Sequence, residues 1–378
     1  MDILGQAMKS ILTVIKSITS LWALILTLFV GVAQADVTLN LLTWEGYAPD
    51  DQVAEFKRLV QKKYNEKLIF NIQYVSSADE FFQGVRRKSV DIIVPSHNII
   101  KDERYKLIVQ KLILPINLAN IPNYSKILPS LQQADYATAN GQVYSVPMVH
   151  GPYGLAYNTA KVSSPPNSWN ALWDAKNKGS YTLSSDYSEA NIYITALAMG
   201  FAPEDITDVK KLSGPAIRTK LTQLIKNANN LWVGVDTAHD LSRNTLGAAW
   251  GFSFPELLKQ GQMWAMAEPK EGTTGWVDGH AISQTLAAKP THKKIAEEWI
   301  NFTLSDEFQI KAIVRGIGSA PVNATIKDRL TVKEVALYHL DDPNYFKNQR
   351  ILWPTLSTRQ RNFFKSLWND ALKEAGRK

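Results

Sequence analysis

Apolar strand patterns and amphipathic helix patterns alternate along residues 37–94, and this alternation constrains the fold more than any other feature of the sequence. Three runs rich in aliphatic and aromatic residues have the length of strands: Val37–Thr43, Leu68–Tyr74 and Val90–Val94. The two segments between them, which begin near Asp50 and Ala78, repeat apolar residues at helical spacing. Strand, helix, strand, helix, strand is the order of an open parallel sheet, so the sequence predicts an α/β fold.

A second block of strands and helices follows, and the chain is predicted to cross into it and back. Further predicted strands are Gln142–Val149, Gly154–Asn158, Tyr181–Ser184, Leu246–Trp250 and Trp276–Ile282. Later predicted helices are Pro215–Asn229, Lys293–Leu304, Ser305–Val314 and Thr358–Glu374. We place the crossings near Val146–Gly151 and Gly272–Val277. Two lobes result, residues 36–148 with 277–323 and residues 149–276 with 324–378.

The first 35 residues have the composition of a secretory signal peptide. Lys9 and Lys16 precede the apolar run Leu21–Val32, which is followed by Ala33-Gln34-Ala35. A basic segment, a short apolar run and an A-x-A site predict cleavage before Asp36 and export to the periplasm. The apolar run is shorter than a membrane span.

The composition limits the classes of partner and site. The chain has 378 residues, of which 45% are hydrophobic, and this is ample for buried cores. It has no cysteine, so we expect neither disulfides nor a lipid anchor on an N-terminal cysteine. The net charge of +7 is not concentrated in a long basic cluster, so no nucleic-acid partner is predicted. The six histidines are scattered, and no metal site is predicted.

Aromatic and acidic side chains are concentrated where predicted strands end. Nine residues at these ends and turns are candidates for ligand binding: Trp44, Glu45, Tyr47, Ser96, Asp186, Glu189, Trp250, Trp276 and Asp278. Loops that a rigid scaffold positions are where binding residues concentrate. The set has four acids, four aromatics and no lysine or arginine. It therefore favours an organic cation, because ring faces attract positive charge and carboxylates accept N–H hydrogen bonds.

The stretch Pro269–Asp278 carries the sharpest of these signals. Gly272 and Gly275 indicate tight backbone, and Trp276 and Asp278 follow with one residue between them. Residues two apart on a strand share a face, so the indole and the carboxylate are predicted to point the same way. The structural alternative is a core tryptophan beside a solvated aspartate.

The other candidates also have structural alternatives. Asp186 and Glu189 are three residues apart, as in a helix N-cap with its capping-box acid. Roles in packing or in turns are the alternatives for the remaining candidates, Trp44, Tyr47, Ser96 and Trp250.

The ordered set of motifs resembles the periplasmic polyamine-binding proteins, the spermidine and putrescine receptors of ABC importers, over nearly the whole chain after residue 35. The motifs that carry the resemblance are Trp-x-x-Tyr at Trp44 and Tyr47, Val94-Pro95-Ser96, Asp-x-x-Glu at Asp186 and Glu189, the strand-end Trp250, and Pro-Lys-Glu-Gly…Trp-x-Asp at Pro269–Gly272, Trp276 and Asp278. The resemblance implies a two-lobed periplasmic binding protein fold of type II, the Venus-flytrap fold, with the ligand in the inter-lobe cleft. It implies a monomer without cofactor that captures spermidine, norspermidine or putrescine and delivers it to an inner-membrane ABC permease.

Several positions depart from the family pattern. The acid that precedes the family's tyrosine is moved by one position to Glu45, and Gly46 follows it. Two family tyrosines correspond to Asn98 and Ser319, and a glutamine near the C-terminus has no equivalent around Trp353. The carboxylates are kept while parts of the rim differ, so the length of the polyamine stays open.

Three alternatives to polyamine import remain at this point. A secreted glycosidase would use paired carboxylates, but the sequence has no nucleophile motif. A receptor for amino acids or sugars is second, and a ligand carboxylate would need an arginine that the candidate set lacks. Third, norspermidine-sensor-like members of the same family report to a membrane sensor protein that controls cyclic-di-GMP and biofilm formation.

Overall fold

The computed structural model describes residues 36–342 and 344–377, and the predicted signal peptide lies outside them. The strands are β1 (Val37–Thr43), β2 (Leu68–Tyr74), β3 (Ile92–Ile93), β4 (Ile113–Leu114), β5 (Thr138–Ala139), β6 (Gln142–Val143), β7 (Val146–Asn158), β8 (Tyr181–Ser184), β9 (Asn230–Trp232), β10 (Leu246–Ala249), β11 (Trp264–Met266), β12 (Thr273–Ser283), β13 (Ala320–Pro321) and β14 (Arg350–Leu352). The helices are α1 (Asp50–Tyr64), α2 (Asp79–Arg86), α3 (His97–Ile100), α4 (Ser188–Ala198), α5 (Val209–Leu212), α6 (Pro215–Asn227), α7 (Ala238–Ser242), α8 (Phe254–Lys259), α9 (Pro290–Thr303), α10 (Asp306–Phe308), α11 (Val332–Leu337), α12 (Tyr345–Gln349) and α13 (Thr358–Glu374). The predicted α/β class is confirmed.

The strongly patterned elements have the predicted bounds. Strands β1, β2 and β8 and helix α13 begin and end at the predicted residues. In α1, Val53, Phe56 and Val60 form the buried stripe that the helical spacing predicts. The same helix has acids in its first turn and lysines in its last turn, an arrangement that complements the helix dipole.

Strand β7 is longer than predicted. The sequence indicated two extended segments, Gln142–Val149 and Gly154–Asn158, with a break at Gly151 and Pro152. The structure has one continuous strand of 13 residues, Val146–Asn158. An added Cβ on Gly151 would lie 2.7 Å from the Trp276 ring, so this glycine permits close packing across the sheet.

Two other predicted elements differ in extent. Of the predicted strand Val90–Val94, only Ile92–Ile93 pairs as a strand. The predicted helix Ser305–Val314 is a short helix, α10, that continues as a π-helix at Gln309–Ile317. The side chain of Gln309 donates to the carbonyl oxygens of Met148 and Thr303, at 3.0 and 2.8 Å. These bonds connect the π-helix to β7 and to the end of α9, and neither periodicity nor composition predicts them.

One sheet runs through the molecule in the order β2-β1-β3-β12-β7-β10-β8-β9. At one end β1 pairs in parallel with β2 and β3, and at the other end β8 pairs in parallel with β9 and β10. The long strands β7 and β12 pair antiparallel in the middle. They therefore connect two parallel half-sheets.

The buried apolar residues form two large cores on either side of β7 and β12. The first core draws its residues from 37–149 and 276–346, and the second draws them from 153–267 and 353–371. The C-terminal helix α13 packs against α4 and α6 of the second core. Two cores joined by two long strands make a molecule of two lobes.

One segment packs differently from the predicted lobe boundaries. Residues 324–378 were assigned to the second lobe, but Phe346 belongs to the first core. Ile326 and Leu340 pack with Ile310 and Val314 of the helical segment that borders the first core. We therefore propose that the first lobe continues through Phe346, with the remaining boundaries as predicted. Within residues 36–342 and 344–377, no helix has the length and apolar character of a membrane span.

Candidate binding cleft

A cavity of about 620 Å³ lies between the two cores. Seven of the nine predicted site residues line it: Trp44, Glu45, Tyr47, Ser96, Trp250, Trp276 and Asp278. They come from the turn after β1, the end of β3, the end of β10 and the strand β12. In open α/β sheets, ligands bind beyond the carboxyl ends of strands, and the cleft lies at this place.

Asp278 is the buried carboxylate of the cleft, with 4% of its surface exposed. The hydroxyl of Tyr47 donates to its Oδ2 at 2.8 Å, and the hydroxyl of Ser96 donates to its Oδ1 at 2.6 Å. Three distant segments of the chain therefore meet at one carboxylate. A buried charge requires hydrogen bonds and a counter-charge, and these two hydroxyls supply only the hydrogen bonds.

The electrostatics of Asp278 follow from its burial. Burial raises the pKa of Asp278 to about 7, and the hydrogen bonds from Ser96 and Tyr47 oppose this rise. No lysine or arginine of the described residues contributes to lowering that pKa. Burial and the neighbouring Asp278 also raise the pKa of Tyr47, so its hydroxyl keeps its proton. The site is thus prepared for a ligand that brings positive charge.

Aromatic rings form the walls around this carboxylate. Trp250 lies edge-on to Trp276, with ring centroids 6.4 Å apart, and edge-on to Tyr187, with centroids 4.9 Å apart. Trp353 lies 5.4 Å from Trp250, and Phe252 lies 6.0 Å from Trp276. All five residues line the cavity. Such walls can contact a chain of methylene groups and stabilise cations near their faces.

Trp276 and Asp278 line the same cavity, as their spacing on a strand predicts. The register of β12 against β7 shifts between Asp278 and Gly279, so the strand is irregular directly after the carboxylate. At this shift the backbone N–H of Gly279 donates to the carbonyl oxygen of Pro95 at 3.1 Å. This bond holds the segment that carries Ser96 against β12.

Asp186 and Glu189 are not among the residues that line the cavity. The exposed Asp186 accepts from the Ser184 hydroxyl at 2.8 Å and from the Gly234 N–H at 2.9 Å. Burial raises the pKa of Tyr187, which does line the cleft, and the charges of Asp186 and Glu189 add to this rise. Direct contact between these two residues and ligand stays a prediction.

The helix-cap alternative for Asp186 and Glu189 is wrong. The N-cap residue of α4 is Tyr187, and no side chain caps that end. Asp186 instead fixes the loop at Gly234, whose neighbour Val235 reaches the cleft. Glu189 lies in the first turn of α4, where the helix dipole favours an acid.

A second buried carboxylate holds the loop that carries Trp250. Asp236 is 2% exposed and accepts from the Trp250 N–H at 2.7 Å and from the Ser253 hydroxyl at 2.6 Å. Burial raises the pKa of Asp236, and these hydrogen bonds oppose the rise. Sequence reasoning missed this residue because its partners are created only by the fold.

Sequence reasoning also missed several cleft residues: Tyr187, Phe252, Glu256, Lys259 and Trp353. Tyr187 lies between the predicted acids, and Trp353 is next to the position where the family glutamine has no equivalent. Glu256 and Lys259 lie 3.6 Å apart on α8, and their side chains are mostly exposed. The cleft therefore has one buried acid and a mixed charge at its rim.

The fold and this cleft define the class of protein. Residues 87–349 match the profile of the bacterial extracellular solute-binding proteins, and the chain belongs to that family. The predicted two-lobed binding fold is confirmed by solved structures that cover almost the whole chain.

Three relatives illustrate the similarity. The spermidine/putrescine-binding periplasmic protein 1 of Haemophilus influenzae is 24% identical over 328 residues, which is 85% of this chain and 84% of that protein. The structure of a spermidine/putrescine ABC transporter substrate-binding protein from Streptococcus pneumoniae has a TM-score of 0.73 at 18% identity and covers 89% of this chain and 99% of its own. An ABC transporter substrate-binding protein from Bradyrhizobium japonicum has a TM-score of 0.66 at 16% identity, with coverage of 89% and 99%.

Proposed function

We propose that this protein binds a polyamine of the spermidine, norspermidine and putrescine class in the periplasm and delivers it to an inner-membrane ABC importer. The observation that carries the proposal is Asp278. It is a buried carboxylate with two hydroxyl donors, no ion-pair partner among the described residues, and aromatic walls around it. An ammonium group supplies the missing charge.

The energetics of such a complex agree with the chemistry of polyamines. A charge-assisted hydrogen bond from an ammonium to Asp278 is worth about 1.5–3 kcal/mol. Each aromatic face that a cation approaches adds about 0.5–2 kcal/mol, depending on how far the cation is desolvated. The methylene segments between the ammonium groups are apolar, so Trp276 and Trp250 also gain contact area with them.

The relatives support the ligand class and the transport role. The Haemophilus influenzae relative is a spermidine/putrescine-binding periplasmic protein, and the Streptococcus pneumoniae structure is a spermidine/putrescine substrate-binding protein. A glycosidase role has weaker support. Among the described residues that line the cavity, Asp278 is buried whereas the other acids, Glu45 and Glu256, are exposed, so no pair of buried carboxylates faces the cavity.

Calorimetric titration of the purified protein with spermidine, norspermidine and putrescine tests the ligand class. We expect saturable binding of at least one of them and no binding of glutamate, which brings a carboxylate toward Asp278. Binding of glutamate with no response to any of the three amines would overturn the polyamine assignment.

Uptake of labelled polyamine separates import from signalling. We expect cells that lack the gene to take up less polyamine than the parent strain, with recovery when the gene is restored. The sensor alternative predicts unchanged uptake together with altered biofilm formation in response to the same amine.

A further inference from the structure

His97 lies directly behind the cleft wall rather than in the cavity. It follows Ser96, begins α3, and has 3% of its surface exposed. Its Nε2 lies 2.8 Å from the carbonyl oxygen of Trp353, and its Nδ1 lies 3.2 Å from the backbone nitrogen of Val277. One buried imidazole therefore contacts two other segments of the chain.

These two contacts determine the tautomer of the ring. A carbonyl oxygen only accepts, so Nε2 carries the proton that it shares with Trp353. A backbone N–H only donates, so Nδ1 is the unprotonated acceptor for Val277. Burial lowers the pKa of His97 to about 4, and the ring is neutral at neutral pH.

The partners of His97 are a cleft residue, Trp353, and Val277, which is flanked by two cleft residues. Val277 lies between Trp276 and Asp278 on β12, and Ser96 donates to Asp278. The backbone N–H of Trp353 donates to the carbonyl oxygen of Gly275 at 3.1 Å, so the Trp353 segment is bound to β12 on one side and to His97 on the other. The imidazole closes a ring of contacts around the carboxylate and the aromatic wall.

We propose that His97 is the positioning residue of the cleft. It holds the Trp276–Asp278 strand, the Ser96 donor and the Trp353 wall in one arrangement through its Nε2–H tautomer. The inference rests on the proposed function for its ligand measurement, but its geometric part can be measured without ligand. Since Trp353 precedes the second-lobe helix α13 and Ser96 belongs to the first lobe, the same ring also joins the two lobes beside their crossing strands.

Three variants dissect the two hydrogen bonds. The His97→Ala variant removes both, and we expect about tenfold or greater loss of polyamine affinity, because ligand binding must then also restore the arrangement that the two bonds preorganise. The side-chain NH2 of a glutamine can still donate to the Trp353 carbonyl oxygen. The side-chain carbonyl oxygen of an asparagine can still accept from the Val277 N–H. We therefore expect the polyamine affinities of His97→Gln and His97→Asn to lie between those of the wild type and of His97→Ala.

His280 provides the matched control. Like His97, it is a buried histidine, with 1% of its surface exposed. It lies on β12 and is not among the residues that line the cavity. We expect His280→Ala to lower the melting temperature but to keep polyamine affinity within about twofold of wild type. Equal affinity losses in the His97→Ala and His280→Ala variants would reduce His97 to a general core residue and overturn the proposal.

The ligand-free protein supplies the independent readout. We expect nitrogen NMR of the imidazole to show a neutral ring protonated at Nε2, and the Val277 amide to exchange with solvent faster in His97→Ala than in wild type. A ring protonated at Nδ1, or unchanged Val277 exchange, would overturn the inference. If the wild type binds no amine, the proposed function fails, and these ligand-free measurements still decide the role of His97.

Discussion

Asp278 is the buried carboxylate of the cleft, and its environment accounts both for its raised pKa and for its proposed affinity for a cation. Two hydroxyl donors stabilise the carboxylate, yet burial disfavours its charge enough to raise its pKa to about 7. A cationic ligand reverses that balance by pairing with the charge. In the free protein, burial therefore disfavours the ionised form of Asp278, and in the proposed complex a counter-charge stabilises it.

Substitution of Asp278 by asparagine separates charge from shape. Asp278→Asn keeps the size and one of the two acceptor oxygens, but it removes the charge that an ammonium requires. We expect polyamine affinity to fall about ten- to a hundredfold, the value of a charge-assisted hydrogen bond. Calorimetry measures this loss, and Asp370→Asn on α13, which is not among the residues that line the cavity, is the control. Wild-type affinity in Asp278→Asn would place the binding site elsewhere.

The raised pKa of Asp278 also makes stability depend on pH. Because the folded-state pKa, about 7, exceeds the ordinary value of 3.8, the fold favours the protonated form. The stability that this group contributes is complete below pH 3.8 and is lost as the pH rises through about 7. We expect the melting temperature of the ligand-free wild type to fall relative to Asp278→Asn as the pH rises over this range.

Ligand affinity is expected to change in the opposite direction. The ammonium binds the ionised carboxylate, so a proton competes with it below about pH 7, whereas a primary amine stays charged to about pH 10. Affinity should therefore rise with pH and level off above about pH 7. A flat profile between about pH 5 and about pH 8 in calorimetry would show that Asp278 does not pair with the cation.

At the scale of the elements, close approach of two strands shapes the aromatic wall. Gly151 on β7 lies under the Trp276 ring of β12, and an added Cβ would approach that ring to 2.7 Å. We expect Gly151→Ala to push the indole into the cleft, with about 1–3 kcal/mol loss of stability from overpacking and weaker polyamine binding. Denaturant unfolding and calorimetry measure the two effects.

Gly214 is the control for this substitution. Nothing lies within 4 Å of a Cβ added there, and its φ of −71° suits any residue. We expect Gly214→Ala to leave polyamine affinity unchanged and to shift stability by less than about 1 kcal/mol. Equal stability and equal polyamine affinity of the two alanine variants would mean that the Trp276 ring has room to move.

The same elements show what the sequence could predict. Strands β1, β2 and β8 follow from local pattern, because each buries alternate or continuous apolar residues between clear breaks. The predicted break at Gly151 and Pro152 was wrong because these residues usually form turns, whereas here Gly151 makes room for a ring from β12. The local preference of Gly-Pro for a turn was outweighed by a contact between residues that are far apart in sequence.

Some cleft residues could likewise be predicted from local sequence, and others could not. Trp44 and Ser96, which follow β1 and β3, were predictable because strand ends gather at one edge of a parallel sheet. Asp278 was predictable because it is two residues from Trp276 on one strand and so shares its face. Tyr187, Trp353 and Asp236 were not, because their roles depend on which loops the two cores bring together. Asp186 was predicted as a ligand contact, yet its observed hydrogen bonds support the Gly234 loop, a role that only the folded loop defines.

At the scale of the whole molecule, the two cores share the cleft, and ligand is expected to change how they are arranged. Tyr47 belongs to the first core, Tyr187 packs against the second core, and Trp250 packs against both; we assign Asp278 to the first lobe. A ligand that contacts both sets favours the arrangement in which both are satisfied, and it shifts the population toward closure.

The absence of cysteine in the sequence allows this closure to be measured cleanly. Lys57 on α1 and Lys226 on α6 are exposed on the two lobes, so spin labels on the Lys57→Cys and Lys226→Cys variant report the inter-lobe distance. We expect saturating spermidine to shorten and narrow that distance. Labels on Lys226→Cys and Lys373→Cys, both in the second lobe, should report no change.

In an Asp278→Asn background the shortening should disappear at the spermidine concentration that saturates the wild type. An inter-lobe distance that spermidine leaves unchanged in the wild-type background, while calorimetry shows binding, would contradict closure and leave a cleft that binds as a rigid body.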